Sequence, residues 1–239
     1  MDSNNNNEKI IICKKDIVKG LHGKLLEDDI LKSEEMIDNN RKERQILIDI
    51  LIGNCCNSCT ELTKCECPNR SIPYGNMSSN IVFVKKRPTT LECSTMLTHS
   101  DTAGHFLMLI LNKLGLSPNN LYFTDLIKCS ANLSSEESYF NCIHNYFLKE
   151  IYHIKPKAMI FQGLMGLNIL YKSGILLDTP ERIEYGKIYE SYLISRENPV
   201  KVIGIYDLDM VLEKDGDKLK ECKNTVWHNL SSIVKAIQS

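Results

Sequence analysis

Short apolar runs alternate with amphipathic helical patterns through the carboxyl-terminal two thirds of the chain, and this alternation restricts the fold more than any other feature. The runs 81–84, 121–127 and 157–161 have the length and the β-branched or aromatic content of buried strands. Two further strands are predicted near 188–194 and 200–205. Because strands alternate with helices, the sequence predicts a mostly parallel sheet that is covered on both faces.

Residues that begin and end helices lie where this arrangement needs them. Asp101 and Thr102 offer caps for a helix that ends before Gly115, a residue suited to the left-handed conformation after a helix. The next helix is predicted to turn one apolar stripe towards the core. The stripe consists of Phe140, Ile143, Phe147, Ile151 and Ile154.

The amino-terminal part has a different composition. Residues 1–52 are predicted to form an extension, with a disordered Asn-rich start followed by helices within 24–52, and residues 53–239 to form the α/β domain. The segment 24–52 has imperfect helical spacing and dense alternating charge, which favours a solvated surface. The same surface could carry a protein partner, in which case the chain would be an adaptor.

Composition limits the functional classes. The chain has 239 residues and a formal net charge of −1, so any contact with nucleic acid must come from a local basic patch. No apolar run approaches the length of a membrane span, and the amino terminus lacks the order of regions found in a secretory signal. We therefore expect a cytoplasmic protein without membrane contact, or a nuclear one if the source is a eukaryote.

The strand 81–84 runs directly into Lys85, Lys86, Arg87 and Pro88. In open α/β sheets, ligands bind beyond the carboxyl ends of the strands. Three cations at such a position suit a phosphate, on DNA or on a nucleotide, although a solvated charge cluster would have the same sequence.

Ten cysteines in a chain without secretory features point to metal ligation more than to disulfides. Within NCCNSCTELTKCEC, the local spacing is typical of a zinc knuckle on one set of thiolates: Cys56, Cys59, Cys65 and Cys67. A 4Fe–4S cluster would instead join a C-x2-C pair to two distant cysteines: Cys56, Cys59, Cys129 and Cys142. Spacing alone does not choose between the two.

The order of motifs adds information. A C-x2-C pair is followed by Tyr74-Gly75, a strand, a Pro-containing loop, a helix opened by Ala103-Gly104, and then LYFTDLIKCS and KEIYHIKPKAMIFQG. In this order the sequence resembles the iron–sulfur members of the uracil-DNA glycosylase superfamily, families 4 and 5, over about residues 54–235. LYFTDLIKCS is similar to the family's strand ending in T-N-V-V-K-C.

The resemblance implies a three-layer α/β/α fold with a central, mostly parallel four-stranded sheet. It also implies a structural 4Fe–4S cluster on Cys56, Cys59, Cys129 and Cys142. Cys55 could substitute for Cys56 as the first ligand. Five cysteines then have no assigned role: Cys13, Cys65, Cys67, Cys93 and Cys222.

The positions that carry the family's chemistry differ in this sequence. The family's water-holding carboxylate is replaced by Lys86, and the position near its stacking aromatic ring is occupied by His99. Asp125 replaces the base-reading Asn, and Asp207 replaces the His that donates to the leaving base. An ionised Asp accepts hydrogen bonds but cannot donate them, and it would repel a departing uracil anion.

These replacements lead to two hypotheses about the pocket. In the first, the chain is a non-catalytic accessory factor of DNA replication or repair that holds phosphate or nucleic acid through four residues: Lys85, Lys86, Arg87 and His99. In the second, it is an active glycosylase with another base or mechanism, in which Asp125 or Asp207 supplies the carboxylate. Lys86 could then form a Schiff base with the opened sugar.

Overall fold

The computed structural model describes residues 71–95, 97–130, 136–178, 180–193 and 199–238. The predicted extension 1–52 and the cysteine-rich segment lie outside the described residues. In the part of the chain that the structure describes, no helix combines the length and apolar character that a membrane crossing needs.

A six-stranded sheet forms the middle layer, with strand order β1-β3-β2-β4-β6-β5. The strands are β1 (Tyr74–Gly75), β2 (Ile81–Lys85), β3 (Tyr122–Asp125), β4 (Ala158–Gln162), β5 (Ile188–Tyr192) and β6 (Pro199–Ile205).

The expectation of four strands is corrected to six, but the four central strands are all parallel. The edge strands β1 and β5 pair antiparallel with β3 and β6, and extend this parallel centre on both sides.

Helices cover both faces, which confirms the three-layer α/β/α class. They are α1 (Thr90–Thr95), α2 (Thr102–Lys113), α3 (Glu136–Cys142), α4 (Leu148–Ile154), α5 (Leu164–Lys172), α6 (Leu208–Leu212) and α7 (Gly216–Gln238). One apolar cluster joins the sheet to α2, α6 and α7, and a second joins the opposite face to α4 and α5. Asp101 caps α2 as predicted, since its side chain accepts a hydrogen bond from the backbone N–H of Gly104 at 2.8 Å.

A π-helical segment, Ile143–Phe147, separates α3 from α4. Ile143, Phe147, Ile151 and Ile154 are buried as the stripe predicts, but Phe140 is 36% exposed. The wider π turn accounts for this difference, because it rotates the residues before it relative to those after it.

Candidate functional site

The carboxyl ends of β2 and β3 place four side chains on one face of the sheet. Lys85 pairs in register with Asp125, and Phe83 pairs with Phe123. Because successive side chains of a strand alternate between faces, all four point towards the layer that contains α2. The predicted phosphate loop and the predicted base-reading position are therefore direct neighbours.

Lys85 is buried, although the sequence placed it among cations expected to face a phosphate or solvent. Only 4% of the residue is accessible, and its ammonium lies 2.6 Å from Glu92 Oε2 and 3.3 Å from Asp101 Oδ2. Burial acts to lower the pKa of Lys85, but the charges of Glu92, Asp125 and Asp101 outweigh it and raise that pKa. In this arrangement Lys85 is an internal counter-ion and does not face a phosphate in solvent.

Glu92 is the member of this cluster that sequence reasoning missed. Its Oε2 accepts from the backbone N–H of Thr89 at 2.7 Å, while the Thr89 hydroxyl accepts from the backbone N–H of Glu92 at 3.3 Å. This reciprocal pair is a capping box that opens α1, and the Thr-x-x-Glu spacing was the available signal. Glu92 Oε1 also accepts from the backbone N–H of His99, so the carboxylate ties α1 to the following loop.

Three buried carboxyl groups surround one buried cation. Burial, followed by the negative charges of Asp125 and Asp101, raises the pKa of Glu92 to about 7. Burial also raises the pKa of Asp125, against the opposing effect of Lys85. Since one ammonium cannot balance three carboxylates, the cluster retains a proton at a pH where ordinary carboxyl groups have lost theirs.

His99 lies inside the site. Its ring makes edge contacts with Phe83 at 5.5 Å and Phe123 at 5.3 Å between centroids. Burial, followed by the charge of Lys85, lowers the pKa of His99 well below its usual value, so the ring is neutral. Within the described residues, Nε2 has no hydrogen-bond partner. His99 is therefore packed as an aromatic ring and is not placed on the surface.

The loop that carries His99 approaches the start of α2 very closely. A Cβ atom on Gly104 would come within 2.0 Å of the His99 carbonyl oxygen, so only glycine fits there. His99 itself has a φ of 59°. The Ala-Gly pair that opened the helix in the sequence therefore positions the histidine as well.

Asp125 presents one oxygen without a partner. Oδ2 accepts from the Ser71 hydroxyl at 2.6 Å, whereas Oδ1 has no partner at hydrogen-bond distance and angle among the described residues. The nearby Thr98 hydroxyl still acts to lower the pKa of Asp125. The residue is 1% exposed. A buried, unpaired carboxyl oxygen is costly when ionised, and this cost favours the protonated form, which can both donate and accept.

Lys86 and Arg87 remain at the rim. Both are half-buried, and the Lys86 ammonium lies over the Tyr139 ring at 5.8 Å from its centroid. Of the three predicted phosphate contacts, these two keep accessible surface.

Asp207 lies at the end of β6, where it caps α6 by accepting from the backbone N–H of Asp209 at 3.1 Å. A Cβ atom on Gly163 would lie 3.7 Å from Asp207 Oδ2, so the carboxylate is close to the start of α5. Partial burial, followed by the charge of Asp101, raises the pKa of Asp209. The end of β6 is therefore acidic. Asp207, which stands where the family has the His that donates to the leaving base, caps a helix here.

A second buried ion pair lies on the other face of β3. Lys128 donates to Glu150 Oε2 at 2.6 Å and to the Thr124 hydroxyl, and Glu150 also accepts from Thr124 at 2.8 Å. Burial raises the pKa of Glu150, and the charge of Lys128 acts in the opposite direction. This pair fastens the segment after β3 to α4. Its burial was not predicted, since the two residues lie 22 positions apart in the chain.

Two of the predicted metal ligands are described. Cys129 is buried in the apolar cluster that contains α4, and Cys142 is half-buried against the same cluster. The predicted 4Fe–4S cluster would use these two thiols together with two from the cysteine-rich segment. The remaining candidates lie outside the described residues: Cys55, Cys56, Cys59, Cys65 and Cys67. No group of three metal-binding side chains occurs among the residues that are described.

Comparison with known proteins identifies relatives of this chain. The sequence model of the Uracil DNA glycosylase superfamily matches residues 72–231. A Type-4 uracil-DNA glycosylase of Saccharolobus solfataricus is 25% identical over 158 residues, which cover 62% of this chain and 73% of that protein. A Type-4 uracil-DNA glycosylase of Archaeoglobus fulgidus is 26% identical over 156 residues, which cover 62% of this chain and 77% of that protein.

The raised pKa of Glu92 predicts an unusual pH dependence of stability. Between the ordinary value and about 7, the folded chain keeps the Glu92 proton and the unfolded chain has lost it. This stabilisation is present at low pH and is lost as the pH rises through about 7. In the wild type, this proton should make the free energy of unfolding fall by up to ~1.4 kcal/mol per pH unit over that range. In Glu92→Gln this dependence on pH should be absent, as measured by chemical denaturation at several pH values.

The control for this measurement is Glu190→Gln, at an exposed position on β5. It should keep the slope of the wild-type chain. An unchanged slope in Glu92→Gln would show that the cluster holds its proton elsewhere.

Proposed function

Because the chain belongs to the Uracil DNA glycosylase superfamily, we propose that it is a DNA-binding accessory factor of replication or repair whose pocket no longer performs standard uracil excision. The observation that carries the proposal is the buried cluster of Lys85 with Glu92 and Asp101 at the carboxyl end of β2. In this cluster the polar groups bind one another.

Excision of uracil needs a group that holds the attacking water and donors for the base that leaves as an anion. At the corresponding positions this chain has Lys86, Asp125 and Asp207. Lys86 offers no carboxylate, and Asp207 has an acceptor where a donor is needed. Asp125 in its ionised form also cannot donate to the base.

DNA contact is proposed for the rim of the site. Lys86 and Arg87 follow β2 and keep accessible surface, which suits phosphate oxygens. Lys85 is no longer included, because its ammonium is engaged by two carboxylates. His99 is no longer proposed to contact phosphate, since its ring is buried against Phe83 and Phe123.

Reversal of the rim charges tests this proposal. The double variant Lys86→Glu, Arg87→Glu should bind DNA more weakly, and the slope of log K against log salt should fall by roughly 2 because two phosphate contacts are lost. Lys149→Glu on α4 is the control, since this exposed lysine belongs to a helix and not to the loop that follows β2. Equal binding by the wild type and the double variant would refute the phosphate contacts, and release of uracil by the wild type would refute the non-catalytic role.

A second candidate is an active glycosylase with a different base preference, and the unpaired Oδ1 of Asp125 favours it. A protonated Asp125 would donate and accept as the family's Asn does, whereas an ionised one would select bases that present N–H donors. In this scheme Asp207 or Lys86 would take the remaining roles, with Lys86 able to form a Schiff base with the sugar.

Asp125→Asn separates the two candidates. For an altered glycosylase, the wild type should release a modified base from a panel of oligonucleotides, and the variant should shift release towards uracil because an amide donor is restored. Borohydride trapping of the wild type on DNA should yield a covalent complex only if Lys86 acts as proposed. Absence of release from the whole panel, by both proteins, would exclude this candidate.

We further propose that Cys129 and Cys142 hold a 4Fe–4S cluster together with Cys56 and Cys59. The cluster would act as a structural cross-link between distant parts of the chain. The hydrogen bond of 2.9 Å from the backbone N–H of Ser71 to the Lys128 carbonyl supports this, because it brings the chain that follows the cysteine-rich segment beside Cys129.

Metal content tests the cluster. Protein purified without air should contain about four iron atoms per chain, and Cys129→Ser and Cys142→Ser should each lose iron. Cys222→Ser on α7 should keep it, since this cysteine has no proposed role. One zinc ion that persists in Cys129→Ser and Cys142→Ser would instead support the local site on Cys56, Cys59, Cys65 and Cys67.

A further inference from the structure

An aromatic pair lies at the carboxyl end of β6, outside the cluster described above. The rings of Tyr185 and Tyr206 are 4.5 Å apart between centroids and inclined by 37°. Tyr185 is 42% exposed and Tyr206 is half-buried. Neither residue is used by the proposed phosphate contacts or by the altered-base mechanism.

The pair is held on a rigid base. Tyr185 forms a bridge with Gly204 on β6, and the following Gly186 has a φ of 76°. A Cβ atom on Gly186 would come within 2.3 Å of the Asn229 side chain on α7, so this turn packs directly against the helix. Tyr185 therefore exposes ring surface without depending on a free loop, and an aromatic ring held in this way loses little conformational entropy when a ligand binds.

Further apolar surface lies at the same edge of the sheet. Met165 and Met210 are 55% and 57% exposed, the highest values among the large apolar side chains of the described region. Met165 is in the first turn of α5, after β4, and Met210 is in α6, after β6. Since β4 and β6 are adjacent and parallel, both residues follow neighbouring strand ends.

Charge is distributed unevenly along this edge. Lys86 and Arg87 follow β2, which is two strand positions away from β6, or roughly 10 Å. The β6 end has the opposite sign, with Asp207 and the exposed Asp209. Among the described residues that directly follow β2 and β6, cations lie at the β2 end and carboxylates at the β6 end. This distribution favours a nucleic-acid strand whose phosphates lie at the β2 end and whose uncharged bases lie at the β6 end.

We propose that Tyr185 and Tyr206 form a stacking platform for the bases of single-stranded DNA, whose phosphates lie on Lys86 and Arg87. The inference rests on the proposed DNA binding and adds the form of the ligand. A duplex keeps the faces of its bases stacked on one another, so a single strand is the form that can use the platform. Stacking on aromatic rings tolerates any base, because every base has a π-face.

The test compares two ligands of equal length, an oligo-dT and an oligomer of abasic deoxyribose phosphate. Tyr185→Leu and Tyr206→Leu should each weaken binding of oligo-dT by about fivefold or more. Binding of the abasic oligomer should stay unchanged, because it has phosphates but no bases. The salt dependence for oligo-dT should also stay that of the wild type, since no cation is removed.

Two further variants serve as controls. Tyr185→Phe keeps the ring and should keep the affinity for oligo-dT, which separates stacking from loss of folding. Tyr192→Leu changes a half-buried tyrosine at the opposite end of β5 and should have no effect.

The outcomes distinguish the platform from DNA binding itself. If the wild type binds oligo-dT and the leucine variants bind it equally well, the platform is refuted while the accessory role remains. An equal loss for oligo-dT and the abasic oligomer also refutes the platform, because the effect would not depend on bases. If the wild type binds neither ligand, the proposed DNA binding is refuted.

Discussion

The ion pair between Lys85 and Glu92 is the interaction on which the rest of the site depends. Lys85 ends β2 and Glu92 lies in α1, so the contact fixes how the chain turns as it leaves the sheet. Through Glu92 the same contact reaches the loop of His99, and through Asp101 it reaches the start of α2. Removal of one partner would leave buried charge without compensation, which is far more costly than the pair is stabilising.

The two faces of β3 carry two such networks. One is centred on Lys85, and the other joins Lys128 to Glu150. Both have a single lysine that is almost inaccessible, and both connect the end of a strand to a helix. Because a buried ion pair needs a defined geometry, these networks favour one arrangement of the strand ends over alternative packings. Because Lys86 and Arg87 directly follow Lys85, the same network fixes the position of the backbone that carries them.

The sequence predicted the features that arise from local or periodic patterns. The strand–helix alternation, the cap at Asp101 and the parallel centre of the sheet all follow from such patterns. The two-residue strand β1 is too short to have a period, and its pairing with β3 is a contact between distant parts of the chain.

The candidate site was predicted less well, for a physical reason. Asp125 and His99 were named as site positions, but Lys85 was predicted to contact a phosphate, because charged residues that follow a strand usually keep access to solvent. Its burial depends on Glu92 and Asp101, seven and sixteen residues further along the chain. A sequence shows the charges but not their convergence, although the capping box at Thr89 could have pointed to Glu92.

The π-helical segment sets the angular relation between two parts of one long helix. Cys142 immediately precedes this segment and Glu150 follows it. Conversion of the π turn to a regular α-helical turn would require the loss of one residue, and each residue advances a helix by about 100°. Such a deletion would turn Cys142 away from the side of the helix it now occupies while Glu150 kept its contact with Lys128. Chain length between residues 143 and 147 is therefore constrained separately from residue type.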